Sequence, residues 1–213
     1  MDEQTQAALH RYVAELFVTE DDALRWIQAE TERNSMPQIS LASQEGHLLQ
    51  FLVHAVGART AVEIGTLAGY SGTWLARALP DDGILITLEA NPKHAAVARA
   101  SFERAGVSQK VELIEGPALE SLRRIANRGP FDFVFIDANK DDYPRYLDWA
   151  IDHLRPGGMV AAHNAFLSGG ILSLNNEADR GIHTFNQALA DDDRLFSTIL
   201  AIGDGMAAGI KRS

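Results

Sequence analysis

Thr60, Ala61, Val62, Glu63 and Ile64 run straight into Gly65, Thr66, Leu67, Ala68, Gly69, Tyr70, Ser71 and Gly72, and this stretch decides the fold. Its first five residues are an apolar run of strand length. The glycines that follow, spaced G-x-x-x-G-x-x-G, make a turn in which backbone amides come close to a ligand, and Ser71 to Leu79 reads as the helix behind it. The same alternation recurs downstream. Ile84 to Leu88, Val111 to Ile114, Phe131 to Ile136 and Met159 to Ala162 read as strands buried on both faces. Pro92 to Ala105, Ala118 to Asn127 and Asp142 to Leu154 supply helices between them. Strands alternating with helices predict βαβ units and a mostly parallel α/β sheet with helices on both faces.

Both ends of the chain depart from this rhythm. Leu195 to Ile202 and Met206 to Ile210 are separated only by Gly203, Asp204 and Gly205, too few residues for a parallel crossover, so they are predicted to pair antiparallel. Before Thr60 lie three predicted helices. Leu9, Tyr12, Val13, Leu16 and Phe17 form an amphipathic stripe; a second helix starts at Thr19 or Glu20 and runs through Leu24 and Ile27. The third, with Ser43 as N-cap, carries the stripe Leu48, Leu49, Leu52, Val53 and Val56 and stops at Gly57. The expectation is one domain over residues 1–213, with residues 1–35 a helical extension and 36–213 the core.

Composition bounds the function. The chain has 213 residues, 46% of them hydrophobic and none of them Cys, so disulfides, thiolate metal sites and Cys nucleophiles are excluded together. A chain of this size buries roughly 70% of its unfolded surface in one core. No run approaches the roughly 18 apolar residues of a membrane span, and Met1, Asp2, Glu3 and Gln4 are unlike a secretory signal, so a soluble, cytoplasmic protein is expected. The formal net charge of −10 opposes non-specific binding to nucleic acid or anionic membranes.

Two sites stand out. The first is the glycine turn together with Glu89, which closes the second strand 24 residues after Gly65. A carboxylate there can accept hydrogen bonds from both hydroxyls of a ribose. Glu63, beside the turn, would repel a pyrophosphate and could hold an ammonium group, which favours an amino-acid nucleoside such as S-adenosylmethionine (SAM) over a dinucleotide. The second is the pair of strand ends Asp137, Ala138, Asn139, Lys140 and His163, Asn164, at the carboxyl edge where open α/β sheets bind ligands.

From Pro37 to Lys211 these stretches, with Met36 to Gly46 and Thr87 to Glu89, resemble the cation-dependent O-methyltransferases, the family of the caffeoyl-CoA and catechol enzymes and their bacterial relatives. The resemblance implies a class I, Rossmann-like methyltransferase fold with a seven-stranded sheet, SAM as donor, a homodimer, and a small hydroxylated, catechol-like acceptor. Residue by residue, it implies that Leu41 (through its backbone), Glu63, Gly65, Thr66 and Ser71 touch the cofactor, with Glu89 on the ribose, Ala118 by the adenine, and Asp137 and Tyr146 on the cofactor side. Tyr146 also fits the apolar stripe of its helix.

The resemblance further implies a divalent metal held at Asp137, His163 and Asn164, with Lys140 polarising or deprotonating the acceptor hydroxyl. Here the chain departs from its relatives: Asn139 stands where Asp is common, and His163 replaces a metal-binding Asp. Exchanging a carboxylate for an imidazole weakens Mg²⁺ and Ca²⁺ and suits Mn²⁺, Fe²⁺, Co²⁺, Ni²⁺ or Zn²⁺. The expectation is a retained but altered metal site. Two alternatives stay open: His163 as a metal-free general base, or as a structural histidine. Phe166 to Ile171 is expected to border the acceptor, with Ser168 where plant relatives carry a substrate-contacting Asn. Two further functional readings are a hydroxylated tRNA nucleoside as acceptor, bound by Arg123, Arg124 and Arg128, and a cofactor-binding protein with a degenerate catalytic site.

Overall fold

The computed structural model describes residues 3–213; Met1 and Asp2, part of the leader reading, lie outside the described residues. Three helices come first: α1 (Glu3–Phe17), α2 (Asp22–Arg33) and α3 (Ser43–Val56). The alternating section follows as β1 (Thr60–Ile64), α4 (Tyr70–Ala78), β2 (Ile84–Glu89), α5 (Pro92–Arg104), β3 (Val111–Glu115), α6 (Ala118–Ile125), β4 (Phe131–Ile136), α7 (Tyr143–His153) and β5 (Leu154–Ala162). The chain closes with α8 (Glu177–Asp191), β6 (Leu195–Leu200) and β7 (Met206–Lys211).

The seven strands form one sheet in the order β3-β2-β1-β4-β5-β7-β6. β1 to β5 are mutually parallel, and β7 runs antiparallel to both β5 and β6. The chain winds outward from β1 to β3 and then returns to β4 on the other side of β1. The crevice at the carboxyl ends of β1 and β4 is therefore the topological switch point, where the loops part and leave room for a ligand. Period-2 alternation divides the core: Phe133 and Phe135 of β4 pack under α3 and α4 with Leu49 and Leu75, while Val134 and Ile136 pack on the opposite face with Tyr143, Leu147 and Phe185.

Four local expectations are corrected. The second helix starts at Asp22 because the Asp21 carboxylate caps it, accepting from the Leu24 N–H at 3.1 Å. Ser43 is the first residue of α3 and not its cap; the Glu45 carboxylate reaches back to the Ala42 N–H at 2.8 Å. β3 is an edge strand with half-exposed side chains, not one buried on both faces. The α1 stripe forms but stays outside the core, with Tyr12 and Phe17 each 61% exposed.

Candidate active site at the switch point

A cavity of about 650 Å³ opens over the carboxyl ends of β1, β2 and β4. Its floor is the turn after β1. Gly65 has φ +99° and lies so close to β4 that a Cβ there would collide with the Asp137 carbonyl oxygen; only glycine lets the two strand ends approach. Leu67, also left-handed at φ +49°, turns its N–H toward Glu89. The Glu89 carboxylate accepts that N–H at 2.8 Å and the Asn91 N–H at 2.8 Å, so two loops hold one acid at the end of β2. The His94 Nδ1 lies 3.6 Å away from it.

Leu41, Gly65, Thr66 and Ser71 line this cavity, as do Glu89, Ala118, Asp137 and Tyr146. Tyr146 does both things its sequence position suggested. It belongs to the buried stripe of α7 and to the cavity wall, and burial, helped by Asp142, pushes its hydroxyl up to about 12.

Glu63 does not join them. It is 0% exposed, outside the cavity, and its two oxygens accept from Ser71 Oγ and Thr87 Oγ1, both at 2.6 Å. Burial pushes its carboxyl up to about 8 against those two hydrogen bonds, so at neutral pH it is protonated. The expected counter-ion for an ammonium group is instead a neutral tie between β1, β2 and α4. Its effect on the cavity is indirect, through Ser71.

The second site is built from five elements. The Lys140 ammonium donates to Asp137 Oδ1 at 2.8 Å and to the Tyr143 hydroxyl at 2.7 Å, and it also lies over the Tyr143 ring. The fully buried Tyr143 hydroxyl reaches the His163 carbonyl at 3.2 Å. The His163 ring is 6% exposed and sits between two acids. Its Nε2 is 3.0 Å from Glu45 Oε1, and its Nδ1 is 3.4 Å from Asp137 Oδ2 without hydrogen-bond alignment. Burial alone would lower the imidazole, but hydrogen bonding and charge from Asp137 and Glu45 outweigh it and push the ring up to about 9. Both carboxyls are in turn held below their ordinary values against the cost of burial, Glu45 by His163 and Asp137 by His163 and Lys140.

This geometry bears on both roles expected of His163. The His163 ring is enclosed, lies outside the lining of the cavity and is held between Glu45 and Asp137. Of the donor set that the resemblance implies for a divalent cation, His163 Nδ1 is buried without a hydrogen-bond partner and faces Asp137 Oδ2 at 3.4 Å. One Asp137 oxygen is held by Lys140, and the Asn164 side-chain N–H donates to Asp204 Oδ2 at 2.9 Å, a bond that leaves the amide oxygen, the atom through which Asn ligates, to other partners. Among the described residues no group of three or more His, Cys, Asp or Glu could hold a metal ion. Asp137 and His163 are brought together as expected, Oδ2 and Nδ1 lying 3.4 Å apart.

Glu45, Tyr143 and Asp204 are the residues that sequence reasoning missed. Glu45 carried a signal: it lies four residues before Leu49 and eight before Val53, on the buried stripe of α3, where a carboxylate needs a partner. Asp204 sits between two left-handed glycines and accepts from the Ser168 N–H at 2.6 Å, tying the loop after β5 to the β6–β7 turn.

Comparison with known proteins agrees with the fold. A family model described as O-methyltransferase matches residues 14–212. A catechol O-methyltransferase of Niastella koreensis is 40% identical over 219 residues, covering 99% of each chain. The O-methyltransferase TomG of Streptomyces achromogenes, solved in complex with SAM, superposes with a TM-score of 0.92 at 34% identity over 100% of both chains. An O-methyltransferase of Bacillus cereus, solved in complex with SAH, gives a TM-score of 0.89 at 36% identity over 96% of this chain and 97% of that one. The likeness thus runs over near-complete chains in both sequence and fold, and this chain belongs to the O-methyltransferase family.

Proposed function

We propose that this O-methyltransferase moves the methyl group of SAM to a hydroxyl of a small, catechol-like aromatic acceptor. The observation that carries the reading is that one cavity has both the Glu89 cradle and the Lys140–Asp137 pair in its wall. Bound SAM would supply an electrophilic methyl: the acceptor oxygen gains the new C–O bond as the S–CH₃ bond breaks to leave a thioether, and the hydroxyl proton passes to water.

The chain's own residues account for binding and polarisation. Glu89, with both oxygens already oriented by loop amides, suits the vicinal hydroxyls of a ribose. Ala118 keeps the wall short beside it. An unperturbed phenol, pKa about 10, is ionised about one part in a thousand at pH 7, a deficit near 4 kcal/mol in available nucleophile. The Lys140 ammonium, partly exposed to the cavity, opposes that deficit by favouring the phenolate, as a fixed charge in a poorly hydrated site does.

The reading extends to assembly and location. A homodimer agrees with the exposed apolar stripe of α1, Leu9, Tyr12, Leu16 and Phe17. A cytoplasmic, single-domain protein agrees with helices none of which is long and apolar enough to cross a membrane among the described residues. The tRNA reading loses support because Arg128 pairs with Glu112 at 2.7 Å and Arg124 with Glu120 at 3.9 Å. The test is calorimetric titration with SAH alongside methyl transfer from SAM to a panel of catechols. Glu89→Ala should lose tenfold or more in SAH affinity. Unchanged affinity would reject the cradle, and intact binding without transfer to any catechol would favour the non-catalytic alternative.

A further inference from the structure

The first three turns of α8 touch both loops that border the acceptor end of the cavity. Gly181 packs on the loop after β4: a Cβ there would collide with the Lys140 carbonyl oxygen, so glycine lets the helix close on the backbone that carries the ammonium. Phe185 meets the Tyr143 ring edge-on, with centroids 5.3 Å apart. On its other side the helix reaches the loop after β5. Asn186 donates to the Ala165 carbonyl at 2.7 Å, and Asp179 takes hold of the segment that follows. Asp179 Oδ2 accepts the Asn175 N–H at 2.9 Å and the Asn176 N–H at 3.3 Å, and Gly170 lies where a Cβ would collide with Oδ1. A capping box with Asn176 accounts for the longer of these bonds, but not for the shorter one or for the approach of Gly170. Asp179 is 5% exposed and its hydrogen-bond donors are backbone amides, a costly place for a carboxylate unless the segment it holds depends on it. That segment carries cavity wall. Leu167 and Ser168 line the cavity, and both are left-handed, at φ 45° and 50°, as is Leu174 at 51°. Non-glycine residues hold such a backbone only where their surroundings impose it. Asp204 fixes the start of the segment through the Ser168 N–H, and Asp179 fixes its end.

We propose that Asp179 is a positioning residue for the acceptor: from the same helix that abuts Lys140, it fixes the loop bearing Leu167 and Ser168, and so sets the spacing between that wall and the Lys140 ammonium in which an aromatic ring lies. The proposal rests on the methyl-transfer reading above. A ring held at a set spacing presents one hydroxyl to the methyl donor, whereas a ring with room to turn presents either. Asp179 therefore governs how tightly the acceptor binds and which of two adjacent hydroxyls is methylated. The cofactor end, built on the turn after β1 and on Glu89 of β2, does not depend on it.

The test uses the full chain with 4-nitrocatechol, whose two hydroxyls differ and whose absorbance reports binding to the SAH complex; methyl transfer is then measured with SAM. Asp179→Ala should raise the nitrocatechol Kd and KM tenfold or more, shift the ratio of the two monomethyl products threefold or more, and leave SAH affinity within twofold. A protein that is merely less stable loses kcat through its active fraction and moves neither KM nor the product ratio. Asp179→Asn, whose side-chain oxygen still accepts the Asn175 N–H, should return Kd and KM to within threefold of wild type. Should Asp179→Ala melt too low to assay, Gly170→Ala takes its place, because the added methyl displaces the same carboxylate from the loop side and should give the same shifts. Unchanged Kd, KM and product ratio in the variant assayed would overturn the proposal, as would a loss of SAH affinity as large as the loss for nitrocatechol. If the wild type neither binds nitrocatechol nor methylates any catechol, the acceptor reading above falls, and hydrogen exchange in the SAH complex decides the loop: faster exchange over residues 166–174 in the variant upholds Asp179 as the residue that holds that wall, and equal exchange sinks it.

Discussion

Glu63→Gln should change how the stability of this protein depends on pH. The Glu63 carboxyl is pushed from 4.5 up to about 8 in the folded protein, chiefly by burial. The sign follows from proton counting. Between pH 4.5 and 8 the unfolded chain has released this proton while the folded chain still holds it, so stability falls as pH rises through that window and levels off above it. At 1.36 kcal/mol per pH unit, the full window is worth roughly 5 kcal/mol, and the interval from pH 5.5 to 7.5 roughly 3 kcal/mol. Glu63 is 0% exposed, so solvent screening does not discount the figure. Glutamine keeps the shape and can still bond Ser71 and Thr87, whose hydroxyls both donate and accept, but it does not titrate. The assay is urea unfolding of wild type and Glu63→Gln at pH 5.5, 6.5 and 7.5, analysed as the difference so that other titrating groups cancel. With an m value of about 2–3 kcal/mol per M, the variant's midpoint should gain roughly 1 M on the wild type across the series. Parallel curves, with a constant difference at all three pH values, would refute the claim that Glu63 is buried with its proton.

Gly65→Ala should lose SAH binding and about 2–3 kcal/mol of stability, since the added methyl meets the Asp137 carbonyl at a left-handed backbone position; calorimetry and thermal melting read the two effects. Tyr143→Phe removes one brace of Lys140 while keeping the ring in the core, so kcat should fall with SAH affinity unchanged and stability lowered by about 1 kcal/mol; steady-state kinetics showing an unchanged kcat would remove Tyr143 from the site. Asp21→Ala should destabilise by about 1 kcal/mol, seen in urea unfolding, because α2 loses its N-cap and Arg77 its partner at 2.6 Å.

Much of this protein is readable along the chain, for a local reason. The strands Thr60–Ile64 and Phe131–Ile136 begin and end where the apolar runs do, because a strand buried on both faces tolerates few polar residues. The glycine turn and Glu89 were likewise legible, since the backbone of a βα turn constrains its residues within a short window. The metal corner was not. His163 is read alone as a ligand or a base, and its buried partner Glu45, 118 residues away, is brought against it only by the fold. Asp204 stands 159 residues from Glu45, and no periodicity links them. Glu63 misled for the same reason: strand position placed it beside the cradle, but only the packing of β2 and α4 around it brought Ser71 and Thr87 to its oxygens and closed it from solvent. Periodicity and turn chemistry, being properties of neighbouring residues, thus determined the architecture and the glycine turn with Glu89 that lines the cavity. Charge state and ligand competence depend on which distant groups surround a side chain in a poorly solvated interior, and those only the tertiary structure decided.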